Sequence, residues 1–129
     1  MKLTGDVQVD VLLSSHDTGG RYAICRIVAP GAARSPKYTH AWEDMFFYVL
    51  SGRVWFEIGE REVAAEEGAS VFIPRQTPRS LRCAGAAQLV VISHPGGVDL
   101  FFDDLSHREN CPGRSSTYAS ILDKHGIGL

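Results

Sequence analysis

The sequence predicts an all-β protein, an antiparallel sandwich or barrel closed by short C-terminal helices. Short runs of alternating apolar and polar residues recur from Val7 to His94. Glycine- and proline-rich turns separate them at close spacing, the pattern of a many-stranded antiparallel fold. Beyond His94 the chain changes character and its remaining segments fit short helices.

Val7–Leu13 alternates and reads as the first strand. Residues 14–20, SSHDTGG, form a turn-rich link. Residues 21–29 make a second strand, with Tyr22, Ile24, Arg26 and Val28 on one face and Ala23, Cys25 and Ile27 on the other. Pro30-Gly31 closes it. An extended stretch then places Tyr38 and His40 on one face, and a polar turn through Glu43 and Asp44 leads into the strand MFFYVL at 45–50, ended by Ser51-Gly52. Arg53–Ile58 follows, and Gly59-Glu60 suits a two-residue hairpin with glycine first, returning through 61–64. Ser70–Ile73 is a strand stopped by Pro74, Arg79–Cys83 a short one, and 88–94 a strongly apolar one. In the tail, 98–105 is expected to be helical with Leu100, Phe101 and Leu105 buried. Residues 109–115 read as a loop. Residues 116–125 read as a last helix capped by Ser115 or Ser116 and followed by Gly126.

The chain has 129 residues, one domain by length, with a barrel core over about 7–94 and a helical tail over about 95–129. Its formal charge of −2 points to no nucleic-acid partner. No apolar run approaches a membrane span, and the N-terminus lacks the apolar region of a secretion signal. Cys25, Cys83 and Cys111 show no CxxC spacing, which suits a reducing cytoplasm; buried structural thiols are expected for the first two.

Two stretches, PKYTHAWEDMFFYVLSG at 36–52 and GASVFIPRQTPR at 68–79, resemble the two motifs of the cupin superfamily. Counted back from Gly52, Met45 stands at the first motif's glutamate, His40 at its second histidine and Tyr38 at its first. In the second motif Gly68 and Pro74 match, while Gln76 stands for the glycine, Arg79 for the histidine and Cys83 for the asparagine. The resemblance covers roughly residues 21 to 102 and implies a small jelly-roll barrel. Of the family's four metal-ligand positions only His40 keeps a ligand type.

Strand parity then lines the implied cavity with Tyr38, His40, Met45, Phe47, Val49, Arg79 and Leu81, with Phe56 added: a mostly apolar pocket with a few convergent polar groups. A catalytic metal generally needs three protein ligands and an open position. Arg79 has no lone pair to give, and a Met45 thioether is a poor ligand for iron, manganese or nickel. A metal-free site is therefore expected. The alternative is Fe, Ni, Mn or Zn held by His40, Tyr38 and a Glu43 swung inward.

Arg79 either holds a substrate anion or pairs with Glu43 or Asp44 to prop the loop. His40 is the candidate base; Tyr38 either donates to substrate or packs. His94 reads as a rim residue, and His16, His107 and His125 as solvent-facing. The apolar face of Phe46, Tyr48 and Leu50 is either covered within the chain or forms a homodimer interface. The resemblance implies a metal-independent cyclase, isomerase or lyase of bacterial natural-product pathways, acting on an apolar carbonyl or polyketide-like compound. The alternatives are a quercetinase-like metal dioxygenase and a non-catalytic small-ligand binder.

Overall fold

The computed structural model of the chain describes residues 1–110 and 117–129. It is an antiparallel β-barrel of two facing sheets with two helices over one end. The larger sheet has strand order β1-β2-β3-β11-β6-β9. Its members are β1 (Lys2–Thr4), β2 (Val7–Leu13), β3 (Ala23–Ala29), β6 (Asp44–Ser51), β9 (Ser70–Ile73) and β11 (Ala87–His94). Facing it, β4 (Ala33–Arg34), β10 (Arg79–Cys83), β7 (Arg53–Ile58) and β8 (Arg61–Glu66) run in the order β4-β10-β7-β8. A third, two-stranded ribbon pairs β5 (Thr39–His40) with β12 (Ile127–Gly128). The architecture is the expected jelly-roll.

Alternation decides which side chains go inside. On β6, Met45, Phe47 and Val49 are buried while Phe46, Tyr48 and Leu50 stay exposed. On β7 and β11 the inward sets are Val54, Phe56, Ile58 and Ala87, Leu89, Val91, Ser93. Together with Val9, Cys25, Val71 and Ile73 they make one core between the sheets. Cys25 is fully buried and its thiol is pushed up to about 12 by desolvation, so it stays a neutral packing group. Cys83, half-buried, donates to the Gly31 carbonyl; Cys111 lies outside the described residues.

The turns follow their sequence signals. Ile58 pairs with Arg61 across Gly59-Glu60, with Gly59 at φ 59°. Gly52 is required twice over: its φ is 80°, and a Cβ there would stand 2.4 Å from the Ala86 carbonyl oxygen. Gln76 holds a left-handed conformation, φ 63°, although it carries a side chain. Its exposed side chain makes no hydrogen bond, while its N–H donates to the His40 carbonyl at 2.7 Å. A left-handed non-glycine residue costs about 1–2 kcal/mol, part of which glycine's looser unfolded chain gives back. Gln76→Gly is therefore expected to stabilise the fold by up to about 1 kcal/mol, read as a higher denaturation midpoint at unchanged slope.

The tail departs from expectation in detail. The first helix, α1 (Val98–Asn110), runs past 105 and takes in part of the expected loop. Val98, Phe101, Phe102 and Leu105 fall at i, i+3, i+4 and i+7 and face the barrel; Leu100 lies off that stripe and is exposed, not buried. Buried Asp99 ties the helix start to the β2–β3 link, accepting from the Ser15 N–H at 2.9 Å and hydroxyl at 2.5 Å. The last helix is α2 (Tyr118–Lys124), and its cap is Thr117, whose hydroxyl accepts from the Ser120 N–H; Ser115 and Ser116 lie outside the described residues. No described helix is long and apolar enough to cross a membrane.

Candidate functional site

The two sheets and α1 line a cavity of about 270 Å³ that opens to the surface. Its floor and sides are apolar: Met45 and Phe47 from β6, Leu81 from β10, Leu89 and Val91 from β11, and Phe101 and Phe102 from α1. Tyr38, His40 and Arg79 bring polar groups to this wall. The backbone brings them together directly. Tyr38 and Arg79 exchange N–H···O=C bonds of 2.8 Å, so β5 is sewn to the start of β10. On its other side β5 pairs with β12, Ile127 opposite His40 and Gly128 opposite Thr39.

His40 is 4% exposed. Its Nδ1 lies 3.4 Å from Glu43 Oε2, close enough for electrostatic orientation but without the alignment of a full hydrogen bond, so Oε2 has no hydrogen-bonding partner. Burial holds the imidazole below its ordinary proton affinity; Glu43 pulls the other way and the Arg79 charge adds to the lowering. The ring is thus a neutral base, its Nδ1 turned to a carboxylate and its Nε2 left over.

Glu43, expected in a solvated turn, is buried instead, 5% exposed. Gly97, at the start of α1, makes room for it: a Cβ there would stand 2.9 Å from Glu43 Oε1. Glu43 backs His40 and does not line the cavity.

Arg79 is 3% exposed and its Nη1 has no hydrogen-bonding partner among the described residues. Neither carboxylate suggested as its prop touches it. Asp44 accepts from the Arg75 N–H at 2.8 Å and its guanidinium at 3.3 Å, and no ion pair joins Arg79 to a carboxylate among the described residues. Desolvation lowers the Arg79 pKa to about 10, with the Glu43 charge opposing it, so the guanidinium remains a cation at neutral pH.

Tyr38 has a partner that sequence reasoning missed. Its hydroxyl meets that of Tyr118, at the start of α2, at 2.6 Å. Burial and this bond push its pKa up, so it stays a neutral phenol. Phe101 packs edge-on against Tyr38, 5.7 Å, and His40, 5.8 Å. His125, expected in solvent, is buried beside Phe101 with its ring 2.6 Å from Asp104. His94 is exposed against the Arg21 carbonyl and does not line the cavity, and His16 and His107 are exposed. Val49 and Phe56, expected on the wall, point inward but are sealed in the core behind it.

These residues do not fit a metal. No three His, Cys, Asp or Glu side chains among the described residues are grouped to hold one. Glu43 does stand beside His40, as the metal alternative needs, but the Tyr38 hydroxyl is committed to Tyr118. The nearby Arg79 cation would repel a dication.

The profile of the cupin domain matches residues 26–95. The chain is 33% identical over 103 residues to the alginate biosynthesis protein AlgA of Pseudomonas syringae pv. tomato, covering 79% of this chain and 21% of that protein. The Pseudomonas putida AlgA gives the same identity over 104 residues. The chain thus spans about a fifth of the length of these curated relatives. Among solved structures it resembles an RmlC-like cupin from Shewanella frigidimarina, with TM-score 0.67, 16% identity and coverage of 76% of this chain and 84% of that one. It also resembles the polyketide cyclase RemF from Streptomyces resistomycificus, with TM-score 0.60, 21% identity and coverage of 68% and 64%. These likenesses concern the fold. The matched domain, which takes in more than half of the chain, shows that the chain belongs to the cupin family.

Proposed function

We propose that the protein is an enzyme that closes, isomerises or eliminates on an apolar carbonyl compound, moving a proton without a metal. The observation that carries this is the pairing, on one apolar wall, of a buried neutral base with a buried cation whose Nη1 has no partner. Removing a proton beside a carbonyl leaves an enolate. His40 takes the proton from carbon; the electron pair moves onto the carbonyl oxygen, where Arg79 meets the new charge. Glu43 holds the imidazole and balances the imidazolium that forms. Return of the proton to a different atom gives isomerisation, expulsion of a β-substituent gives elimination, and attack by the enolate on a second carbonyl gives ring closure. RemF, a fold neighbour, is described as a polyketide cyclase; the reading here rests on this chain's own residues.

Solvent exchange tests it without knowledge of the natural substrate. A bicyclic ketone such as 2-tetralone in D₂O should gain deuterium at its acidic carbon faster with the protein than without. No acceleration with 2-tetralone or a series of one- and two-ring ketones would overturn the reading. Elemental analysis of protein dialysed without chelator should show far less than one iron, nickel, manganese or zinc per chain. One per chain would instead favour the dioxygenase alternative built on His40, Tyr38 and Glu43.

A homodimer through the outer face of the larger sheet is part of the same reading. Ile24, Ile92, Phe46 and Phe72 are successive register partners across β3, β11, β6 and β9, an apolar row with Ile24 and Ile92 half-buried and Phe46 and Phe72 exposed. Phe72 is 59% exposed. The ion pairs Asp10–Arg26 and Asp44–Arg75 lie on the same outer face and expose both signs, as a surface that pairs with its own copy requires. Monomeric proteins rarely leave such a patch open. Light scattering should give twice the chain mass, and Phe72→Glu should return a monomer. A wild-type monomer at micromolar concentration would rule the dimer out.

A further inference from the structure

The cavity also limits what can enter it. We propose that it selects a ligand of one or two rings carrying a single acidic group, with the ionised oxygen on the Arg79 guanidinium and the rings among Met45, Phe47, Leu81 and Phe101. The inference deepens the reading above and rests on the same cavity, but it concerns recognition and needs no turnover.

Size comes first. A dry apolar cavity of about 150 Å³ takes up benzene. At about 270 Å³ this cavity has room for a second fused ring, while a third would have to project through its open side without being buried. Wall chemistry favours rings over a flexible chain, since Phe47, Phe101 and Phe102 offer flat apolar surfaces and aromatic edges.

Charge comes second. Every ionised side chain on the wall at neutral pH is an arginine, and no carboxylate lines it. Three of the four have other placements. Arg82 bonds Glu62 at 3.2 Å, Arg108 lies over the Tyr118 ring at 5.2 Å, and Arg34 is exposed on the edge strand β4. Arg79 alone is buried, and its Nη1 has no hydrogen-bonding partner among the described residues. A buried donor without an acceptor is costly, and an ionised oxygen is the acceptor that relieves it most. Glu43 acts on Arg79 from a distance, making the buried cation tolerable without occupying Nη1. One free inner cation accounts for one acidic group.

The probes are 2-naphthoate, its neutral near-isostere 2-acetylnaphthalene, and 2-anthroate, titrated calorimetrically into the wild-type protein and Arg79→Met. Wild type should bind 2-naphthoate at least ten-fold more tightly than the ketone and at least ten-fold more tightly than 2-anthroate. Arg79→Met should lose the preference for the acid, with an unchanged far-UV circular dichroism spectrum reporting that it is folded. Equal affinity for acid and ketone, a preference that survives Arg79→Met, equal binding of two and three rings, or no binding of any probe would each overturn the inference. Tight, Arg79-dependent naphthoate binding without deuterium exchange on any ketone would leave recognition standing and remove the proposed chemistry. Exchange without charge selection would do the reverse.

Discussion

His40→Ala is expected to lower the rate of deuterium exchange, and turnover of the natural substrate, about a hundred- to ten-thousand-fold, the usual worth of a positioned general base. The fold should survive, because the β5 backbone bonds do not involve the side chain. The pH profile provides the sharper test. Burial keeps His40 below its ordinary value of 6.5, so the base stays unprotonated through that pH and activity should fall only below it. The same shift bears on stability. Between 6.5 and the lower folded value the unfolded chain binds the extra proton, so the fold loses stability as pH falls through that window and is unaffected above it. His40→Ala should remove the acid limb together with the rate. A variant that keeps wild-type exchange would place the base elsewhere.

Arg79→Met is expected to cost about a hundred- to a thousand-fold in kcat, the usual effect of losing one preorganised donor to a developing oxyanion. Methionine fills similar space and removes a buried cation that lacks a direct partner, so the variant should fold. It carries a second signature. The Arg79 charge helps to keep His40 deprotonated, so removing it should move the acid limb toward higher pH. In the wild type an alkaline limb should follow deprotonation of Arg79 near its lowered pKa of about 10. An unchanged acid limb in Arg79→Met would mean that the two groups do not share a site. Chelator should alter neither variant nor wild type.

The barrel was legible because its signals are local. Strict alternation at 45–50 fixes one face of β6, and Gly52 and Gly59 mark turns that their neighbours or dihedral angles demand. Parity also identified Tyr38, His40, Met45, Phe47, Arg79 and Leu81, which do share one wall. Parity gives face and not depth. Val49 and Phe56 obey it, yet lie in a packed layer that the cavity does not reach. The other differences are tertiary. Glu43 is buried because Gly97, just before α1, lies against it, a contact that no residue near Glu43 encodes. The Tyr38–Tyr118 bond and the burial of His125 arise where α2 docks, some eighty residues from β5 in the chain. Leu100 was misplaced because apolar character was counted without its helical phase.

The β5–β12 ribbon has a consequence for how the protein is made. Synthesis runs from the N-terminus, and a chain grown only to residue 110 already holds every strand of both large sheets. The strand carrying His40 then still has one open edge, because its partner lies at Ile127–Gly128. Until those residues leave the ribosome, that edge is a free template for pairing with another chain, beside an apolar cavity not yet backed by α2. Nascent chains stalled or cleaved before Ile127 should therefore self-associate through β5, and the base should reach its working geometry only after β12 has paired.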